Sequence, residues 1–193
     1  MKFAPLCAAL AAITLAPSLA HAAADDSGIH PLVGALITYG GDSLATVEFE
    51  GGTSRDVRAG NLLQIHTGIE YRVPDSPLAF QARIGYHFDN ISASNGDLRF
   101  QRFPLEAIVV WAPAPTWRLG AGARYAMSAR LSSSGASDIG NFDVTSQVGA
   151  LLMTEWRFMP KQAIELRYVH ETYKIDGLSI DGSHVGIGYN YYF

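Results

Sequence analysis

One cysteine, Cys7, is present in 193 residues. It falls inside an N-terminal apolar stretch, so the rest of the chain has no thiol for a disulfide, a Cys-based metal site or a Cys nucleophile. Lysine is scarce as well, at positions 2, 161 and 174 only. No basic block is available to hold nucleic acid, and the formal net charge is −4. Beyond the N-terminus no apolar run approaches the roughly 20 residues of a membrane-crossing helix. A chain of this kind enters a membrane only as a closed β-barrel, because lipid cannot satisfy an open sheet edge. No metal, phosphate or cofactor motif stands out, and no cofactor is expected. Gly120 and Gly122 form a lone G-x-G with no helix after it. They are expected to make room for large neighbours such as Arg118 and Arg124, since a glycine in a strand admits close approach.

Residues 1–22 carry Lys2, an apolar core and the ending Leu19-Ala20-His21-Ala22. These are the parts of a secretory signal peptide, and the core is too short to span a bilayer. The expectation is cleavage after Ala22, export, and a single mature domain over residues 23–193. Cys7 leaves with the leader, and loss of Lys2 leaves 13 basic against 18 acidic residues. About 170 residues suit one domain.

What remains alternates at period two, the signature of strands with one apolar face. Residues 61–73 put Leu63, Ile65, Thr67, Ile69, Tyr71 and Val73 on one side, against Gln64, His66, Gly68, Glu70 and Arg72. Residues 78–89 repeat the pattern, with Phe80, Ala82, Ile84 and Tyr86 opposite Gln81, Arg83, Gly85 and His87. Residues 32–39, 98–111, 117–127, 142–158, 163–173 and 183–193 bring the strand count to eight. Short Pro-bearing turns follow the second, fourth and sixth strands. Polar loops follow the others, including residues 90–97, 128–141 and 174–182. Residues 44–50 and 53–59, around Gly51-Gly52, read as extensions of the first two strands. The expected fold is all-β, an eight-stranded antiparallel up-and-down transmembrane β-barrel with both termini in the periplasm.

Alternation alone does not say which face is inside. A secreted barrel of the lipocalin type would turn the apolar face inward. Three features favour the reverse. Glu70, Glu106, Glu155, Glu165 and Glu171 share the face opposite the apolar one with Arg72, Arg83, Arg118, Arg124, Arg157 and Arg167. Their near balance suits a closed lumen, where each buried charge needs a partner. The apolar faces of the second, third and fifth strands carry no charge. Aromatics gather at strand ends, with Tyr71, Trp111, Trp117, Trp156, Phe158, Tyr191 and Phe193 toward the short turns and Tyr86, Phe88, Phe103, Tyr125 and Tyr168 toward the long loops. Such girdles mark membrane interfaces. An eight-stranded barrel has room inside only for side chains, so the ion network is expected to plug it. Val144 and Val148 are placed on the outer face. Leu151, Met153 and Val169 read as scattered, with no apolar lumen stripe. His66 and His87 are expected to make structural hydrogen bonds rather than hold a metal.

Residues 183–193, SHVGIGYNYYF, end on an aromatic. Gly188, Tyr191 and Phe193 resemble the C-terminal assembly signal of Gram-negative outer-membrane barrels. Strand count and loop pattern resemble the small eight-stranded outer-membrane proteins, the OmpA-domain and OmpX-like group. That resemblance implies an integral outer-membrane protein, mostly structural, adhesive or host-interacting and not an enzyme. It implies contact with outer-membrane lipid and lipopolysaccharide, with the barrel-assembly machinery through the last strand, and with an extracellular partner at residues 44–59 and 128–141. Strand edges raised above the membrane can recruit such a partner by adding a strand. Two alternatives stay open. Lipid A deacylases among these barrels use a lipid-facing His and a Ser two residues on. His170-Glu171-Thr172 resembles that spacing, with Thr172 in place of the serine and Tyr173 in place of an asparagine. The other alternative is a small-molecule channel, as in OmpW-like barrels.

Overall fold

The computed structural model describes residues 27–48, 54–93, 96–135, 140, 142–175 and 178–193. In chain order the strands are β1 (Gly28–Gly40), β2 (Ser43–Glu48), β3 (Ser54–Arg58), β4 (Leu62–Arg72), β5 (Leu78–Ala93), β6 (Gly96–Trp111) and β7 (Trp117–Gly135). They continue as β8 (Phe142–Ser146), β9 (Gly149–Met159), β10 (Gln162–His170), β11 (Thr172–Ile175), β12 (Leu178–Asp181) and β13 (His184–Tyr192).

Eight of them close a ring in the order β1–β4–β5–β6–β7–β9–β10–β13, antiparallel throughout. Leu32 stands opposite Tyr192 where β13 meets β1, and Trp117 opposite Trp156 where β7 meets β9. Closure satisfies the strand edges that lipid could not. The short turns share one end with the start of β1 and the C-terminal Phe193, whose N donates to Pro31 O at 2.9 Å. The apolar parity faces outward: Ile65, Ile84, Leu105, Leu119 and Ile187 are exposed, and Leu166 is 54% exposed. Glu70, Glu155, Glu165 and Arg167 are buried inside. Apolar outside and charged inside is the arrangement of a barrel solvated by lipid.

The structure corrects several boundaries. β1 begins at Gly28, four residues before the expected start. The expected loops at 90–97 and 128–141 are mostly wall, since β5 runs to Ala93, β6 starts at Gly96 and β7 runs to Gly135. Their polar residues are held extended by cross-strand partners, Ser92 opposite Asp97 and Gly96 opposite Gly135. Pairing outweighs the weak strand preference of such residues. Part of residues 174–182 likewise forms the β11–β12 hairpin, with Thr172 opposite Asp181. Within the expected extensions at 44–50 and 53–59, the described strands β2 and β3 do not prolong the first two barrel strands. Among the described residues they pair with each other, as a separate two-stranded sheet. Gly40 and Gly41, with φ of 144° and 77°, turn the chain out of the wall at that point, a conformation open to glycine. The Gly51-Gly52 turn and residues 1–22 lie outside the described residues.

Two irregularities reverse the parity of the wall. In β7, Ser128 has φ of 48°, and the register slips between Phe103 opposite Met127 and Gln101 opposite Arg130. The other lies at Gln147 and Val148, between β8 and β9. A one-residue slip sends every later side chain to the other face. Val144, expected outside with Val148, is therefore buried inside, while Val148 is exposed.

Candidate functional site

The eleven candidate lumen residues come together as one alternating ladder of charge. At the short-turn end Glu70 pairs with Arg72 at 2.7 Å, with Arg157 at 3.5 Å and with Arg118. Arg118 reaches Glu155 at 3.1 Å, and Glu155 lies 3.5 Å from Arg83. Arg83 pairs with Glu165 at 2.8 Å, and Glu165 with Arg167. Arg167 and Arg124 both hold Glu106, at 2.8 and 2.7 Å. Arg124 then meets Glu171 at 2.9 Å, and Glu171 meets Arg102 at 3.7 Å. Every glutamate thus lies between at least two guanidiniums, which is what keeps buried carboxylates tolerable in a dry interior.

Neutral groups add further hydrogen bonds to the ladder. Asn190 Nδ2 donates to Glu155 at 2.7 Å and to Glu165 at 2.6 Å. Tyr192 OH donates to Glu155 at 2.6 Å, and Tyr173 OH to Glu171 at 2.7 Å. Gln64 accepts from Arg124 at 2.8 Å and donates to Glu106 at 3.3 Å. His66 Nε2 lies 3.0 Å from Asn190 Oδ1, and His87 Nε2 lies 2.9 Å from Thr38 Oγ1. Arginine does not give up its proton near neutral pH. The guanidiniums therefore stay charged and serve as fixed counter-ions to the glutamates.

Arg102, Asn190 and Tyr192 were not among the candidates. Their signal is parity: Arg102 shares the even positions of its strand with Glu106, and Asn190 and Tyr192 share those of the last strand with His184. The lumen also holds an apolar patch, contrary to the expectation from sequence. Ala79, Ile108, Val110, Leu151, Met153 and Val169 pack together on its wall. Gly120 makes room for this patch and not for Arg118 or Arg124. A Cβ there would lie 2.8 Å from Met153 and 3.1 Å from Ile108, and one on Gly122 would lie 2.9 Å from the Ile108 Cα.

Above the ladder the long-loop mouth is capped. Val57 and Ala59, at and just after the end of β3, are fully buried against Phe100, Ala126, Ala129, Leu131, Val144 and Tyr173. Arg58 N donates to Asp89 Oδ2 at 3.0 Å and Arg58 Nη1 to Gly41 O at 3.2 Å. Asp42 N donates to Asp181 O at 2.7 Å, tying the start of the cap to β12.

His170 faces outward, and its partner is not Thr172. The wall breaks at Glu171, and His170 Nδ1 instead lies 2.9 Å from Ser183 Oγ. Asp181 Oδ1 accepts from Ser183 N at 2.8 Å. Hydrogen bonds from the Ser183 side chain and backbone hold the Asp181 carboxyl below its ordinary range. The carboxylate thus serves the serine, whereas a hydrolytic triad needs it on the far nitrogen of the imidazole. At the last strand, Gly188 sits where a Cβ would lie 2.6 Å from Leu36 Cγ, and the Tyr191 and Phe193 rings meet edge-on at 5.0 Å.

Comparison with known proteins finds that the family described as the outer membrane protein beta-barrel domain matches residues 7–193. No curated protein matches. Among solved structures, Ail, the attachment invasion locus protein of Yersinia pestis, is 15% identical with a TM-score of 0.54, covering 86% of this chain and 99% of that one. Neisserial surface protein A is 16% identical with a TM-score of 0.53, covering 86% and 98%. At these identities the likeness concerns the fold.

Proposed function

The chain belongs to the family of outer membrane protein beta-barrel domains, and from that premise we propose that it is a non-enzymatic, plugged barrel acting through the part raised above the membrane. Residues 1–22 are the leader, residues 23–193 the barrel, and the short-turn end with both termini faces the periplasm. The outer wall meets lipid and lipopolysaccharide. Gly188, Tyr191 and Phe193 in the last strand engage the assembly machinery.

The observation that carries this reading is the raised sheet. Beyond the closed ring the strand order runs β12–β11–β8–β7–β6–β5, and β12 is its edge. Leu178 in that edge strand is 72% exposed. Asp42 engages both backbone groups of Asp181 on that edge, and the stretch around Leu178 and Ser179 is the surface on which a partner segment adds a strand. A proline at Ser179 removes one donor from that edge. Cells displaying the protein are expected to bind a host-cell surface, and Ser179→Pro to reduce that binding while the protein stays folded. Equal binding by both would sink the strand-addition reading.

A second reading, an outer-leaflet acyl hydrolase, rests on the His170–Ser183 contact alone. The mass of lipid A from cells making the wild-type protein, His170→Ala or Ser183→Ala decides it. Identical masses support the non-enzymatic reading. A lost acyl chain that either substitution restores would establish the hydrolase.

A further inference from the structure

Two buried histidines hold the roots of the cap. β3 ends at Arg58, and residues 59–61 lead back into β4. Leu62, the first residue of β4, has φ of 77°, a left-handed backbone that a leucine keeps only where its surroundings hold it. Thr38 Oγ1 reaches the Leu62 carbonyl at 3.5 Å. His87 Nε2 lies 3.0 Å from the Asn61 carbonyl oxygen and 2.9 Å from Thr38 Oγ1. His184 packs beneath both ends of the excursion. A Cβ on Gly60 would lie 2.7 Å from its Cβ, and one on Gly40 would lie 2.8 Å from its Cα. The two imidazoles meet edge-on at 5.3 Å.

The partners of His87 fix where its hydrogen sits. A guanidinium only donates. Arg124 Nη2, 3.2 Å from His87 Nδ1, therefore takes the lone pair there, and the ring hydrogen is on Nε2, directed at Asn61 O and Thr38 Oγ1. A second proton has only Nδ1 to occupy, where it meets the Arg124 N–H head-on. Arg124 is itself held, by Glu106 at 2.7 Å, Glu171 at 2.9 Å and Gln64 at 2.8 Å. On the other side Arg102 Nη2 lies 3.4 Å from His87 Nε2. Around the ring, β1 thus contributes Thr38, β6 Arg102, β7 Arg124 and β13 His184. Glu171, already shared by Arg102 and Arg124, lies 3.7 Å from His184 Nδ1. Asp89, on the same strand as His87, accepts from the Arg58 backbone. A charged His87 would stand between two guanidiniums in a buried site, where like charges repel strongly.

We infer that His87 is an acid-sensitive latch: neutral, it holds the cap shut, and on taking a second proton it releases Asn61 and the cap opens. Release also relaxes the backbone at Leu62. Opening is coupled to uptake of one proton, so acid favours the open form by up to about ten-fold per pH unit. The latch rests on the packing of the cap and not on what the raised sheet binds.

The test follows hydrogen exchange of the whole barrel, folded in lipid vesicles, from about pH 7.5 to about pH 4.5, the range in which imidazoles titrate. Rates are corrected for the intrinsic effect of pH. Protection at Val57 and Ala59 is expected to fall at least about ten-fold over that range, while amides in the middle of β4 and β5 keep theirs. His87→Gln offers Asn61 a donor but takes up no proton, and is expected to keep the cap shut throughout. His30→Gln, at the opposite end of the barrel, is expected to respond as the wild type does. If His87→Gln fails to fold, nitrogen NMR of the wild-type imidazoles decides: His87 must become doubly protonated over the same pH interval in which the cap opens. Unchanged protection in acid overturns the inference, as does a fall that His87→Gln retains or that His30→Gln abolishes. Opening while His87 is still neutral overturns it too, as does loss of protection shared by the whole wall.

Discussion

Arg83 donates to Glu165 at 2.8 Å across the full width of the barrel. Their strands, β5 and β10, stand four places apart in either direction around the ring of eight, so the pair is a strut between opposite walls. Asn190 donates to the same carboxylate oxygen, and Arg167 holds the other one. Because each rung is shared, loss of one partner is felt at its neighbours.

Arg83→Met is expected to cost about 3 kcal/mol, because it leaves the Glu165 and Glu155 carboxylates buried with one guanidinium fewer. Arg83→Met with Glu165→Leu is expected to cost less than the two single changes together. Urea unfolding of the four proteins in lipid vesicles measures the coupling. Strict additivity would mean that the strut contributes nothing as a pair.

Phe100→Ala is expected to loosen the cap by about 3–5 kcal/mol of local packing. Its ring is fully buried, meets Tyr173 at 5.6 Å and carries Arg102 at 4.9 Å. Amide exchange at Val57 and Ala59 should quicken, while amides in the middle of β4 and β5 stay protected. Uniform loss of protection would mean that cap and barrel unfold as one unit.

Two glycines two residues apart should differ sharply. A Cβ on Gly122 meets the backbone of Ala107 and Ile108, which cannot move without breaking the β6–β7 ladder. On Gly120 it meets side chains instead, Met153 at Cγ and Cε and Ile108 at Cγ2, which can shift without breaking that ladder. Gly120→Ala is expected to cost about 1 kcal/mol or less and Gly122→Ala about 3 kcal/mol, read from denaturant midpoints. The reverse order would contradict the packing of β6 against β7.

With the lumen filled by paired ions and its outer mouth capped, the protein is expected to show no stepwise conductance in planar bilayers. On a gel, the unboiled protein is expected to migrate apart from the boiled one. Steady single-channel steps from protein of confirmed fold would show that the ladder opens.

The strand pattern was legible because lipid contact demands an unbroken apolar face, and a period of two is visible in every membrane-level stretch. The inward glutamates and arginines stood out by the same parity. The apolar lumen patch did not, because β5, β6, β9 and β10 each give it one or two residues that only closure of the ring collects. The raised strands were missed because above the membrane their outward positions need no apolar residue. Arg99, Arg130 and Lys174 are exposed there, and the alternation that betrays a lipid-facing strand is lost. Val144 was misplaced because a single extra residue at the Gln147–Val148 irregularity leaves no mark in composition. The role of residues 54–59 as a cap depends on where two glycines send the chain, which a pattern of faces does not encode.

The slip at Ser128 has a consequence for how one polypeptide meets two solvents. On the turn side of it, β7 shows Leu119, Ala121, Ala123 and Tyr125 to the outside. On the far side it hides Ala129 and Leu131 and shows Arg130, which pairs with the equally exposed Asp143 at 2.9 Å. The same strand is built inside-out below the slip and like an ordinary water-soluble sheet above it. The irregularity marks, by one residue of backbone, the level at which the outward face of β7 changes from apolar to charged.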